Sequence, residues 1–105
     1  MQSITRQELE QMNDIDRDDF VLINVLPRET FEKQHIRTSI NIPYENSDFI
    51  DTVESVAGDK DRKIVVYCAN FDCPVSNKAA DALEQAGFKS IYDYEGGTED
   101  WLTNH

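Results

Sequence analysis

Apolar positions along this chain fall into short runs, separated by stretches in which they recur every three or four residues. Phe20-Val21-Leu22-Ile23-Asn24-Val25 is nearly continuous and rich in β-branched residues, the pattern of a strand buried on both faces, and Pro27 ends it. Lys63-Ile64-Val65-Val66-Tyr67 is a second such run, and Ser90-Ile91-Tyr92-Asp93-Tyr94 reads as the last strand. Ser39-Ile40-Asn41-Ile42 alternates polar and apolar residues and stops at Pro43, which predicts a briefer strand. Helical signals lie between these runs. Thr5 and Glu8 have the spacing of a capping box, with Ile4 and Leu9 as its hydrophobic staple, so a helix starts near residue 6. A short helical piece covers Arg28 to Gln34. Phe49, Ile50, Val53 and Val56 fall at helical spacing, with Ser47 or Asn46 as cap and Gly58 as the interruption. Pro74 suits the first position of a further helix, whose apolar side includes Ala79, Leu83 and Ala86 and which Gly87 stops. Gly96-Gly97 then turns the chain into a short helix capped by Thr98 and carrying Trp101.

Strands alternating with helices imply parallel pairing through right-handed crossovers, hence an α/β layer structure with helices on both faces of the sheet. At 105 residues the chain is expected to form one domain, 1–105, and to bury one core of ordinary size. Charged residues at 30% and apolar residues at 39% lie in the globular range and argue against wholesale disorder. The net charge of -11 repels phosphate backbones and anionic lipid head groups, so neither nucleic acid nor membrane is expected as a partner. Asp14, Asp16, Asp18 and Asp19, and then Asp48, Asp51 and Glu54, read as solvated faces. Residues 1–6 lack the charged-then-apolar order of a signal peptide, and no apolar run approaches ~18 residues, so a cytoplasmic monomer with reduced cysteines is expected. His35 and His105 are isolated in sequence, so no zinc-type cluster, metal or other cofactor is expected.

Candidate chemistry concentrates in YCANFDCPVS, residues 67–76, which holds both cysteines, with four residues between them. In open α/β sheets, sites form beyond the carboxyl ends of the strands, and Cys68 directly follows the strand ending at Tyr67. A thiolate there can face loop amides and the positive end of the next helix dipole, both of which favour a sulfur anion. Asp72 opposes this unless it points to solvent or caps the helix. Three readings stay open at this point: a catalytic thiol, a dithiol switch between Cys68 and Cys73, and two small hydrophobes at a turn, with Cys73 in the N-cap position before Pro74. A bridge between the two requires their Cα atoms to come within ~4.4–6.8 Å. Phe71, a large apolar side chain at the loop tip, either roofs the site or meets a partner.

Read in order, VLINVLPRETFEKQHIRTSINIP (21–43), IVVYC (64–68) and AADALEQAGFKSIYDYEGGTEDW (79–101) resemble the signature segments of the single-domain rhodanese-like proteins, many of them sulfurtransferases. The resemblance implies a three-layer fold with about five mostly parallel strands, Ser3-Ile4 contributing the first. It also implies that Cys68 carries sulfane sulfur as a persulfide, taken from a donor such as thiosulfate or polysulfide and passed to an acceptor thiol, small or on a protein. Loop residues Ala69, Asn70, Phe71, Asp72, Pro74, Val75 and Ser76 would then supply the main-chain cradle, with Cys73 as a resolving thiol. Departures from the family pattern are Asn24 and Leu26 where Asp and Arg are usual, Gln34 where Gly is usual before His35-Ile36, and a loop about two residues longer that lacks arginine. Without that arginine a bidentate anion contact is lost, which weighs against phosphatase chemistry. Lys78 is the nearest cation in sequence. By the same resemblance His35 holds backbone rather than acting as a base; Trp101, given a face to pack by its Gly-Gly turn and short amphipathic helix, is expected to anchor the core. A thiol–disulfide redox protein and a rhodanese-like binding module without turnover are the alternatives.

Overall fold

Thr5 and Glu8 cap each other's amides, Thr5 N–H donating to Glu8 Oε1 at 3.1 Å and Glu8 N–H to Thr5 Oγ1 at 3.2 Å. The first helix of the computed structural model grows from this box. The structure describes residues 1–15 and 19–103, so Asp16, Asp18 and His105 lie outside the described residues. Strands and helices alternate as β1 (Gln2–Ile4), α1 (Arg6–Ile15), β2 (Phe20–Asn24), α2 (Arg28–Lys33), β3 (Ile40–Asn41), α3 (Phe49–Ala57), β4 (Lys63–Tyr67), α4 (Val75–Gln85), β5 (Ile91–Tyr94) and α5 (Gly97–Thr103).

The five strands form one sheet in the order β1-β5-β4-β2-β3, and every pairing is parallel. Asn24 stands opposite Tyr67, and Tyr67 opposite Tyr94, so the three central strands end level. Their carboxyl ends therefore release residues 25, 68 and 95 along one edge.

Side-chain alternation along β4 divides the interior. Ile64, Val66 and then Cys68 face the side covered by Phe49, Val53 and Ala57 of α3 and by Ala79, Ala80 and Leu83 of α4. Val65 and Tyr67 face the other side, packed with Leu9 of α1 and Trp101 of α5. Both faces of the strand are thus dry, which explains its unbroken apolar run. Each fully buried Val, Leu or Ile contributes about 1.5–3 kcal/mol.

Three local expectations are corrected. Asp48 occupies the N-cap of α3 with no side-chain hydrogen bond, and Asn46 contributes only its carbonyl, to Phe49 N–H at 3.1 Å, so neither Asn46 nor Ser47 caps through a side chain. Val56 is exposed, because residues 49, 53 and 57 form the inward stripe of α3. Thr98 lies inside α5 rather than at its cap, since the helix already starts at Gly97.

Candidate active site

Cys68 is set in place by its backbone. Thr98 N–H donates to Cys68 O at 3.0 Å and Glu99 N–H to Ala69 O at 2.9 Å, so the first turn of α5 grips the chain where β4 ends. Amides of a helix's first turn have no partner within the helix, and here the loop carbonyls satisfy them. Thr98 Oγ1 adds a longer contact of 3.4 Å to Cys68 O. The close approach depends on Gly97: its φ is +63°, and a Cβ there would collide with Cys68 O, with Ala69 C at 2.8 Å and with Asn70 N at 2.9 Å.

Beyond Ala69 the loop doubles back. Asn70 O accepts from Cys73 N–H at 3.1 Å, Asn70 Oδ1 accepts from Asp72 N–H at 3.0 Å, and Asn70 Nδ2 donates to Glu99 Oε2 at 3.3 Å. One residue therefore supplies both a four-residue turn and an Asx turn inside it. The turn returns Cys73 to Cys68 with a Cα–Cα distance of 6.4 Å, within bridging range, and the two cysteines are joined as a disulfide.

Around the disulfide, Cys68 is 1% exposed, set among the apolar side chains below α4, while Cys73 is half-buried. Cys68 Sγ lies 3.4 Å from Cys73 O and 3.6 Å from the hydroxyl of Ser76, a buried residue in the first turn of α4. The main-chain cradle expected from Ala69 to Ser76 is not assembled in this state by Asp72 and Cys73, because Asn70 takes both of their amides. Asp72 and Pro74 are exposed, Val75 is half-buried and packs on the core, and Phe71 projects into solvent at 71% exposure. Phe71 does not roof the sulfurs. Asp72, in solvent, does not press its charge on them, and it does not cap α4. Pro74 occupies the N-cap of α4, one position before the first helical residue, so Cys73 is not that cap. Lys78 is exposed.

Beneath the loop a second polar group closes on itself. Ser39 Oγ donates to Ile36 O at 2.6 Å, which leaves its lone pairs to accept the Tyr67 proton at 2.6 Å, and Tyr67 Oη accepts from Ile36 N–H at 3.0 Å. Burial raises the Tyr67 pKa above its ordinary value of 10.0, so it stays a donor. Asn24 is fully buried with its Oδ1 accepting from Leu26 N–H at 2.9 Å, while Asn41 Nδ2 donates to Asn24 O at 3.1 Å and Leu26 O at 2.8 Å. These bonds take up the turn after β2. His35 Nδ1 donates to Phe31 O at 2.7 Å and its ring stacks on Phe31, 3.8 Å between centroids, so it fastens backbone. Trp101 is buried edge-on to Tyr94 at 6.3 Å, beneath the Arg6 guanidinium at 5.5 Å.

A family model described as a rhodanese-like domain matches residues 5–104. The chain belongs to the rhodanese-like domain family. Over 97 residues, it is 27% identical to a thiosulfate sulfurtransferase GlpE of Coxiella burnetii, covering 92% of this chain and 85% of that one. A thiosulfate sulfurtransferase GlpE of Pseudomonas syringae is 32% identical over 85 residues, covering 81% and 74%. Among solved structures, the rhodanese-like domain of an Anabaena protein superposes with a TM-score of 0.82 at 25% identity, covering 99% of this chain and 75% of that one. The rhodanese-like fold thus places Cys68 at the strand end, and the family relation extends through the segments on which the sequence resemblance rests.

One buried polar residue lies on the same face of the sheet as Cys68. Asp93, which the sequence pattern places only within the last strand, is fully buried there, and among the described residues neither of its carboxylate oxygens makes a hydrogen bond. The alternation Ile91-Tyr92-Asp93-Tyr94 looks like a strand with a wet face. A parallel sheet covered on both sides has none, and that was the available signal.

Proposed function

We propose that this chain transfers sulfane sulfur through Cys68 and resolves it with Cys73. Support comes from its family, from relatives named thiosulfate sulfurtransferase, and above all from one observation: the turn built on Asn70 joins the two sulfurs. With the cysteines reduced, the Cys68 thiolate attacks the outer sulfur of a donor. For thiosulfate, the sulfur–sulfur bond breaks, sulfite leaves with the electron pair, and a persulfide remains on Cys68. An external thiol then removes the outer sulfur, or Cys73 attacks Cys68 Sγ and expels hydrosulfide. In the latter case the outer sulfur is reduced, the two cysteines are oxidised, and the disulfide is the product. A net charge of -11 and a loop without arginine weigh against small dianionic donors, thiosulfate and inorganic polysulfide alike, and favour uncharged organic polysulfides.

Intact-mass measurement after exposure of the reduced protein to thiosulfate and to polysulfide tests this reading. Cys73→Ser should keep one added sulfur atom, the wild type should release sulfide and end as disulfide, and Cys68→Ser should stay unmodified. A Cys73→Ser protein that gains no sulfur from either donor sinks the sulfurtransferase reading. If the wild type nevertheless cycles between dithiol and disulfide, the protein is a thiol–disulfide redox protein, a second reading favoured by the burial of Cys68 beneath its partner sulfur.

A further inference from the structure

Phe71 is the most exposed large apolar side chain among the described residues, at 71%, and it stands at the tip of the turn that Asn70 folds. A single exposed apolar side chain is ordinary. Phe71 differs because it borders a groove. The groove, about 380 Å³, runs between Phe71 and the start of α1, and its lining is largely apolar, with Ile4, Tyr94 and Gly96 along it. A smaller hollow of about 130 Å³ shares Phe71, Gly96 and Asp100 with the groove and continues it along α5. The hydrogen bonds of Asn70 to Asp72 and Cys73, together with the disulfide, hold the backbone on either side of Phe71, so the ring is presented in a fixed place and loses little freedom when covered.

The rim of this groove is acidic. Glu95 and Glu99 are exposed on it, and Asp72 follows Phe71 into solvent. Asp100 is held in place: its Oδ2 accepts from Tyr94 Oη at 2.5 Å, and its side chain lies so close over Gly96 that a Cβ there would meet Oδ2 at 2.6 Å. Among the described residues lining the groove the one cation is Arg6, and it is engaged by Glu10 at 2.6 Å and by the Trp101 ring. An apolar floor is thus bordered by carboxylates, with its cation already partnered.

We propose that this groove docks a basic segment of another protein, an apolar side chain of which packs against Phe71 and the groove floor while its lysines or arginines meet Glu95, Glu99 and Asp72. Charge decides between occupants. A second copy of this chain brings a net charge of -11 and a Phe71 bordered by the same acid, so its approach is opposed. A cationic segment is drawn in by the rim and finds an apolar surface once there. Docking of this kind does not require sulfur transfer, and the groove exists with the two sulfurs joined.

The oxidised full chain, with no sulfane donor present, is titrated with three peptides and followed by amide NMR. The first is acetyl-Lys-Leu-Arg-Phe-Lys-amide; the second replaces each of its cations by Glu, and the third replaces its Leu and Phe by Ser. The first should shift amides at residues 4–6, 70–72 and 94–100 and should bind at least about fivefold more tightly than either of the others. Phe71→Ser should weaken that binding by about fivefold or more, as truncation of an anchoring side chain does, and Glu95→Lys by about threefold or more. Both substituted positions are exposed, and the unshifted remainder of the spectrum reports that each variant is folded. Equal affinity for the basic and acidic peptides, shifts that fall outside the groove, or wild-type affinity in either variant overturns the proposal. Failure of the basic peptide to bind at millimolar concentration does the same. Shifts around Phe71 that depend on the concentration of the chain alone, and that Phe71→Ser abolishes, would make a second copy the occupant and equally overturn it.

Discussion

Asp93 bears on stability, and the sign follows from its burial, which disfavours the charged form. Its folded-state pKa lies above the unfolded value of about 3.9, so at pH values between the two the native state holds a proton that the unfolded state has lost. Stability therefore falls as pH rises through that window, and the full penalty persists above it. Below about pH 4 both states are protonated and the penalty vanishes. Chemical denaturation of wild type and Asp93→Asn across pH should show the wild type losing stability relative to the variant on leaving the acid range. A constant difference at all pH values would mean that Asp93 does not titrate differently on folding. Cys68 was legible in the sequence because it extends an apolar run past the strand end, a local pattern. Asp93 was not, because its burial depends on how α4 packs across β5, which no local pattern shows.

At the scale of elements, the loop depends on two residues of different kinds. Asn70 folds the turn through its side chain and its carbonyl, so Asn70→Ala should leave the fold intact while loosening the approach of Cys73. Loss of the net value of one such bond, about 0.5–1.5 kcal/mol, corresponds to as much as a tenfold shift toward the dithiol, read by equilibration with glutathione. Gly97 works from the other side. Gly97→Ala meets both a left-handed φ and the backbone of residues 68–70, so thermal or denaturant unfolding should register a loss of roughly 2–4 kcal/mol. An unchanged midpoint would show that α5 can draw away from the loop without cost. The periodicity exposed most of this architecture. The capping box, the strand runs and the glycine stop at Gly87, with its φ of +101°, are all short-range signals and appear where expected. Capping of α3 and the outward turn of Val56 were misread, because spacing shows an apolar stripe without showing which edge of it meets the sheet. The grip of α5 on the loop was invisible, since Gly-Gly announces a turn but not the chain that will pass against it.

For the whole molecule, the surplus of acid governs which reagents reach the loop. Like-charge repulsion is screened with a Debye length near 10 Å at 0.1 M salt, so reaction with thiosulfate should quicken several-fold between about 0.02 and 0.3 M salt. Reaction with an uncharged trisulfide donor should not. Stopped-time mass analysis of the reduced protein measures both, and equal salt dependence would show that the field of the whole chain does not reach the sulfur. Among the described residues no helix is long and apolar enough to cross a membrane. The two sulfurs also differ in mechanical standing. Cys68 is moored, since the carbonyls at 68 and 69 are tied to the last helix; Cys73 rides a hairpin-like arm whose tip is Phe71. Severing the link between them would untie the arm and leave Cys68 moored, so the protruding ring, and not the buried sulfur, is the part whose position would report whether the sulfurs are joined.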